Sequence, residues 1–196
     1  MVYRFRHDGA GEVIAESRAP SVEESWLGLH YPASDIPAPA RALYARNPLR
    51  QIVDARAAQV PIEPAISPVT AEPLDLSDCV LRAVSPMHLE YLANMGVHAS
   101  MSVSLVRDGR LWGLVSCHHY EGPRQAQYDV RAVCELLAAT FAAQLDALEQ
   151  AEEREHAGRL GTFHLSLLGR MAEHRDVIAG LSASPELLLA LTDADG

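Results

Sequence analysis

The chain has 196 residues, 48% of them hydrophobic, and its 26 acidic and 16 basic side chains give a formal net charge of −10. This composition excludes a disordered chain and indicates one ordinary domain with an extension, or two small domains. The negative charge argues against nucleic acid and anionic membrane surfaces as partners.

The first 78 residues alternate between short elements and loops. "MVYRF" and "EVIAESR" flank a glycine-rich turn and predict a β-hairpin. Residues 21–37 are predicted to be a loop, residues 38–48 a helix and residues 49–55 a short strand. Residues 58–78 are rich in proline and predict an extended loop.

The second half of the chain contains stronger local signals. "SPMHLEYLANMGV" predicts a helix in which Ser85 is the N-cap, Pro86 the first residue and Gly96 the stop signal. "HASMSVSLVRDGRLWGLVSCHHY" predicts a hairpin, because two alternating strands flank an Asp-Gly turn.

Residues 127–175 have helical periodicity, and Gly158 and Gly161 are candidate positions for a break in that helix. "SPEL" at 184–187 predicts the start of another helix. The order of elements indicates an α+β fold, with an antiparallel sheet flanked by helices and then a long C-terminal helix.

The cysteines, the N-terminus and the longest apolar run indicate the cellular compartment. Cys79, Cys117 and Cys134 are an odd number without CxxC spacing, which does not form a disulfide framework and indicates a reducing compartment. The N-terminus has no apolar signal segment, and the longest nearly apolar run, "LLAATFAAQL", is too short to span a membrane. We therefore expect a cytoplasmic protein.

Motifs of phosphate binding, hydrolysis and metal binding are absent from the sequence. His118 and His119 are adjacent on a predicted strand, so they point to opposite faces and do not bind one metal together. His88 and His98 add no standard zinc spacing. A sequence without these motifs favours a binding module over an enzyme.

Two features have both a structural and a functional interpretation. The basic stretch 41–56 marks either an anion site or a solvated helix face. Ser100, Ser102 and Ser104 alternate along one strand, so they form either a solvated face or one wall of a pocket.

The segment "HYPASDIP" has prolines five residues apart, Pro32 and Pro37, which exclude an ordinary helix interior. Ser34 and Asp35 lie between them, immediately before the predicted helix at 38–48. The segment therefore predicts a stiff acidic loop at a helix start.

Three segments together resemble one family: "HYPASDIPAPARALYARNPLR", "LRAVSPMHLEYLANMGV" and "ASMSVSLVRDGRLWGLVSCHH". They occur in the order and with the spacing of the chromophore-binding GAF domain of bacteriophytochromes. The resemblance implies a GAF domain at residues 1–150, a linker helix at 151–178 and the start of a PHY domain at 179–196.

The resemblance implies a linear tetrapyrrole ligand, which is biliverdin in bacteriophytochromes. The two propionate groups of that pigment are expected at Arg50 and Arg82, because a guanidinium group matches a carboxylate. The hydroxyl groups around them are those of Tyr44, Ser85, Ser100 and Ser102.

The resemblance also implies which residues surround the rings. The backbone carbonyl of Asp35, flanked by Ile36 and Pro37, is expected to accept hydrogen bonds from the pyrrole nitrogens, and His88 to stack over the inner rings. The side chains expected around ring D, which turns when light is absorbed, are Tyr3, Tyr31, Tyr91 and His118.

The sequence departs from the family pattern at the attachment position. Phytochromes that attach the pigment within this domain have a cysteine immediately before the helix histidine, where this chain has Met87. Other members use a cysteine ahead of a PAS domain, and this sequence begins at the first strand of the GAF domain. We therefore expect an N-terminally truncated domain without a covalent anchor.

The resemblance implies a red and far-red light sensor and not an enzyme, with any histidine kinase and its response regulator acting downstream. It also implies a homodimer formed through the long helix. The alternative hypothesis is a GAF-type module that no longer holds a bilin, and either binds another small molecule or only dimerises.

Overall fold

A computed structural model describes residues 1–80, 82–174 and 177–182, together with positions 185 and 189. The described residues contain the strands β1 (Val2–Phe5), β2 (Gly11–Ala15), β3 (His30–Tyr31), β4 (Leu49–Ile52), β5 (Ala99–Arg107) and β6 (Arg110–His119). These six strands form one antiparallel sheet in the order β3–β2–β1–β6–β5–β4. The helices are α1 (Ala38–Arg46), α2 (Pro86–Asn94), α3 (Tyr128–His174) and α4 (Val177–Ser182). The predicted α+β class is confirmed.

Both predicted hairpins form. Strands β5 and β6 are joined at Asp108 and Gly109, whose φ angles are +47° and +72°. Two successive positive φ angles are typical of the two-residue turn that Asp-Gly favours. Strand β3 lies within the predicted loop 21–37, and its two residues are too few to show an alternating pattern.

The two short helices begin where the prolines predict. Helix α1 follows Pro37, and α2 begins at Pro86 with Ser85 as its N-cap. The Ser85 hydroxyl group makes no capping hydrogen bond, so the proline is the main start signal there. Gly96 follows α2 with a φ angle of +67°, a conformation that favours glycine after a helix.

Alternation along β5 divides the core between the two faces of the sheet. Val103 and Leu105 pack with Leu49 and with Ala138 of α3 on one face. On the other face Ile52 packs with Leu92 of α2. Near the opposite edge of the sheet, Tyr3, Val13 and Leu114 form a further cluster. Helices α1 and α2 therefore lie across the face that carries Ser100, Ser102 and Ser104.

Helix α3 runs without interruption from Tyr128 to His174, so the break considered at Gly158 and Gly161 does not occur. Each glycine costs a helix only about 1 kcal/mol relative to alanine, and the flanking alanine, leucine and glutamate residues favour helix formation. The predicted helix start at 184–187 lies outside the described residues, apart from position 185.

The chain divides into two compact units, Met1–Ala143 and Gln144–Gly196. In the second unit, Gly180 of α4 approaches the backbone of Met171 closely, because a Cβ atom at Gly180 would lie 2.7 Å from the Met171 Cα atom. No helix within the described residues is long and apolar enough to cross a membrane. The boundaries at 150 and 178 stay predictions.

The first prediction concerns the close approach of β6 to β1. A Cβ atom at Gly113 would lie 2.4 Å from the Tyr3 carbonyl oxygen, and a backbone atom does not move aside easily. We expect Gly113→Ala to lower the free energy of unfolding by about 1–3 kcal/mol in urea denaturation. The control is Gly158→Ala, which meets open space and is expected to stabilise by up to about 1 kcal/mol. An unchanged free energy of unfolding in Gly113→Ala would contradict the register of β1 against β6.

Candidate ligand-binding site

Helix α2 presents two aromatic rings to the sheet. His88 and Tyr91 lie three residues apart, on the same side of the helix, and their rings stack with centroids 6.4 Å apart and an interplanar angle of 8°. Burial lowers the pKa of His88, and the positive charge of Arg50 lowers it further. His88 is therefore a neutral ring at pH 7.

Strands β5 and β6 place polar side chains beneath α2. Ser100 lies opposite His118, and Ser102 lies opposite Ser116. His118 Nε2 is 3.1 Å from the Ser116 hydroxyl oxygen, whereas its Nδ1 atom is buried without a hydrogen-bond partner among the described residues. Burial, the N-terminal ammonium group and His88 lower the pKa of His118 to about 4. A buried polar atom without a partner is rare in folded proteins, so this nitrogen is a candidate to hydrogen-bond a ligand.

Two guanidinium groups lie close together at the β4 edge of the sheet. The side chain of Arg50 donates hydrogen bonds to the backbone carbonyls of Val80, Arg82 and Ala83, and that of Arg82 donates to Cys79. Burial lowers the pKa of Arg50, and the charge of Arg82 lowers it further. Within the described part of the chain neither guanidinium pairs with a carboxylate. This end of the site therefore favours an anionic group.

Three tyrosines and one aspartate lie near each other at the opposite edge. The rings of Tyr3 and Tyr31 are 5.9 Å apart. Burial raises the pKa of Tyr3 to about 12, with further contributions from Tyr91 and Asp35. Burial also raises the pKa of Tyr91 to about 12, with contributions from Tyr31 and Asp35. The phenol groups therefore remain protonated and supply neutral hydrogen-bond donors.

The turn at 32–37 carries Asp35. The Asp35 amide donates to the Pro32 carbonyl oxygen at 3.1 Å, and Pro37 immediately precedes α1. The Asp35 side chain is exposed, whereas Ile36 packs against the cluster around Tyr3. The predicted loop at a helix start is present.

The remaining predicted hydroxyl groups differ in their surroundings. Ser102 and Ser104 are buried, which excludes a solvated face, and the Ser104 hydroxyl donates to the Tyr44 carbonyl at 2.8 Å. Burial and Arg82 lower the pKa of Arg50, whereas the Tyr44 phenol raises it, so Tyr44 lies near Arg50. Ser85 is exposed at the start of α2.

These groups form an elongated site across one face of the sheet. It extends from Arg50 on β4 at one edge to Tyr31 on β3 at the other, and five spacings between neighbouring strands amount to about 24 Å. His88 lies near Arg50 and His118, whereas Tyr91 lies near Tyr3 and Tyr31. The arrangement suits a long, flat ligand whose acidic groups project toward Arg50 and Arg82.

The family model of the GAF domain matches residues 1–146, about three quarters of the chain. The chain belongs to the GAF domain family. Its curated relatives include a bacteriophytochrome of Pseudomonas aeruginosa, 48% identical over 197 residues, and cyanobacterial phytochrome B of Nostoc, 44% identical over 196 residues. Both alignments cover 100% of this chain but only 27% and 26% of the relatives, so this GAF domain chain spans about a quarter of their length.

Solved structures agree with this assignment to the phytochrome type of GAF domain. The bacteriophytochrome RpBphP3 of R. palustris matches all of this chain and 39% of its own, with a TM-score of 0.88 and 47% identity. The chromophore-binding domain of the same protein matches 76% of this chain and 50% of its own, with a TM-score of 0.74 and 51% identity. The predicted resemblance and fold are confirmed.

Sequence reasoning missed several polar contacts of this GAF domain. Arg41 donates from α1 to carbonyls of the 32–37 turn, and the Asn47 amide donates to the Ser77 carbonyl at 2.7 Å. Arg46 pairs with Asp78. Arg41 and Arg46 of the basic stretch thus bind backbone carbonyls or a carboxylate, contacts that neither interpretation of that stretch names, whereas Arg50 lies at the end of the site that favours an anion. Strand alternation does predict one of the missed residues, Ser116. It lies two residues from His118 and therefore on the same face of β6.

The roles of the predicted site residues toward a pigment stay predictions. The structure brings Arg50, Arg82 and His88 together. It also brings Tyr3, Tyr31 and Tyr91 near Asp35. The side chain of Met87 is 81% exposed. Within the described residues no group of three His, Cys, Asp or Glu side chains is arranged to hold a metal ion, and all three cysteines are free thiols.

The second prediction concerns His118. Its pKa in the folded chain, about 4, lies below the ordinary 6.5, so the unfolded chain takes up a proton first as the pH falls. We therefore expect stability to decrease from pH 6.5 toward pH 4, by up to about 3 kcal/mol from this residue. Urea denaturation at pH 7 and pH 4.5 measures this loss.

The variant His118→Gln removes the group, and it is expected to lose less stability than the wild type between the two pH values. His156→Gln, on the exposed surface of α3, serves as the control and is expected to follow the wild type. Equal losses in the wild type and in His118→Gln would contradict the burial of a neutral imidazole.

Proposed function

We propose that this GAF domain binds a linear tetrapyrrole, biliverdin, and acts as the pigment-binding module of a red and far-red light receptor. The observation that carries the proposal is the charge arrangement across the site. Two guanidinium groups without a carboxylate partner in the described residues lie at one end, and protonated phenols lie at the other. A bilin has two propionates and an extended apolar ring system, which this arrangement complements.

The residues present fit such a pigment. The stacked rings of His88 and Tyr91 offer a flat surface to an aromatic system. The buried Nδ1 atom of His118 has no hydrogen-bond partner among the described residues, and we assign it to a polar group at one ring. Relatives at 44–48% identity named phytochrome or bacteriophytochrome support the same ligand class.

At the anionic end we assign Arg82 the direct contact. The Arg50 side chain already donates to three carbonyls of residues 80–83, including the Arg82 carbonyl, and so it fixes the backbone that carries Arg82. Arg50 adds its charge to the field there, and Ser85, Ser100, Ser102 and Tyr44 surround the same end of the site.

Tyr3, Tyr31 and Tyr91 at the other end, together with His118 nearer the middle of the site, are proposed to surround the ring that turns. When bound, the pigment supplies the chemistry: it absorbs red light and isomerises at ring D. The carbonyl of Asp35, next to Ile36 and Pro37, is proposed to hold the pyrrole N–H groups. A changed environment around Asp35 would bias an output element between two states.

The same proposal covers the expected partners. Helix α3 exposes Val133, Leu137 and Leu148, and we propose that it pairs with α3 of a second copy. In a full receptor a histidine kinase and its response regulator would read the signal, in the cytoplasm. Sedimentation equilibrium tests the pairing, and a monomer at micromolar concentration would contradict it.

Met87 stands where related domains attach the pigment, so we propose non-covalent binding. Zinc staining of the pigmented chain after denaturing electrophoresis checks this point. No fluorescent band is expected, and a band at the mass of the chain would contradict non-covalent binding.

The third prediction tests the ligand class. In titrations of the purified chain with biliverdin, followed by absorption, we expect Arg82→Ala to raise the Kd at least about tenfold, because a charge-assisted contact is lost. His88→Ala is expected to weaken binding similarly through lost stacking.

The controls are Arg56→Ala and His7→Ala, which remove exposed side chains of the same types and are expected to leave the Kd unchanged. If the wild-type chain did not bind biliverdin, or if Arg82→Ala and His88→Ala bound it as tightly as the controls, the pigment assignment would be wrong. The site would then belong to a GAF module for another small molecule.

A further inference from the structure

Arg41 lies in the first half of α1 and points back toward the turn that precedes this helix. Its Nη1 atom donates to the Ile36 carbonyl oxygen at 2.6 Å and to the Ala33 carbonyl oxygen at 3.3 Å. Its own amide donates to the Pro37 carbonyl at 3.0 Å. One side chain therefore holds two carbonyls that lie on either side of Asp35.

The turn between β1 and β2 lies on another side of the guanidinium group. A Cβ atom built on Gly9 would lie 3.0 Å from Arg41 Nη2 and 3.4 Å from the Ala33 Cβ atom. Gly9 has a φ angle of +83°, which favours glycine. Arg41 thus lies where α1, the 32–37 turn and the β1–β2 turn meet.

The charge of Arg41 also reaches the tyrosine cluster. Burial raises the pKa of Tyr3, Tyr91 and the Asp35 carboxylate raise it further, and the charge of Arg41 opposes this rise. Arg41 forms no ion pair with a carboxylate in the ranges that the structure covers. A partly buried guanidinium without an ion pair makes its hydrogen bonds with backbone carbonyls instead, so these bonds account for its position.

We propose that Arg41 is a positioning residue, which holds the 32–37 turn over the site and thereby fixes where the Asp35 carbonyl lies. The prolines of this turn restrict its internal φ angles but do not determine its placement against α1. The two bonds from Arg41 supply that placement. The part of this inference that concerns the pigment rests on the proposed function, whereas the hold on the turn does not.

Hydrogen exchange of the ligand-free chain tests the hold on the turn. In Arg41→Gln, the amides of residues 33–36 are expected to exchange about tenfold faster than in the wild type, while amides of β5 and β6 keep their rates. Arg41→Lys retains a cationic donor and is expected to show a smaller increase. Arg56→Gln, an exposed arginine, is the matched control and is expected to show none.

The absorption spectrum with biliverdin tests the consequence for the pigment. Since a mobile turn presents its carbonyl in several positions, Arg41→Gln is expected to give a broader and weaker long-wavelength band, with Arg41→Lys intermediate. A wild-type band in Arg41→Gln, despite faster exchange, would overturn the positioning role.

The hydrogen-exchange measurement tests whether Arg41 holds the 32–37 turn, and it does so whether or not the chain binds the pigment. Unchanged exchange of residues 33–36 in Arg41→Gln would overturn the inference whether or not biliverdin binds. If the wild-type chain gave no pigment band, the proposed function would fail, and faster exchange would still support the hold of Arg41 on the turn.

Discussion

The hydrogen-bond register of β4, β5 and β6 decides which side chains reach the ligand site. Arg50 lies opposite Ser102, and Ser100 lies opposite His118, so all four face the helices α1 and α2. Because side chains alternate along a strand, a shift of one residue would turn this set toward α3 and bring Val103 and Leu105 into the site. The apolar packing of those two residues against Ala138 of α3 therefore specifies the polar face as well as the core.

Once the register is set, electrostatics differentiates the two ends of the site. Burial and the charge of Arg82 lower the pKa of Arg50, and a ligand carboxylate would offset this repulsion. At the far edge, burial and the charge of Asp35 keep Tyr3 and Tyr91 protonated. A ligand whose acidic groups project to one side and whose rings carry hydrogen-bonding groups is oriented by this difference. The same difference disfavours a reversed ligand.

The sequence predicts features that depend on local rules. The Asp-Gly turn, the helix start at Pro86 and the shared face of Ser100, Ser102 and Ser104 all follow from residue type and spacing, and all are present. The site residues were named through resemblance to a family, because spacing alone does not bring Arg50 near residues 80–83.

Contacts between distant segments account for what sequence reasoning missed. Strand β3 exists because Tyr31 pairs with Gly11, and two residues show no period of their own. The hydrogen bonds of Arg50 and Asn47 reach thirty residues along the chain to backbone carbonyls, which have no signature in the sequence. The continuity of α3 depends on summed propensities that outweigh three glycines, Gly158, Gly161 and Gly169.

If this GAF domain senses light through a bilin, as we propose, its light-minus-dark absorption difference spectrum will show it. The purified chain is mixed with biliverdin and illuminated with red light, then left in darkness. We expect a band shifted to the red of free biliverdin that changes under illumination and recovers in darkness. A spectrum identical to that of free biliverdin, or a shifted band that illumination leaves unchanged, would contradict it.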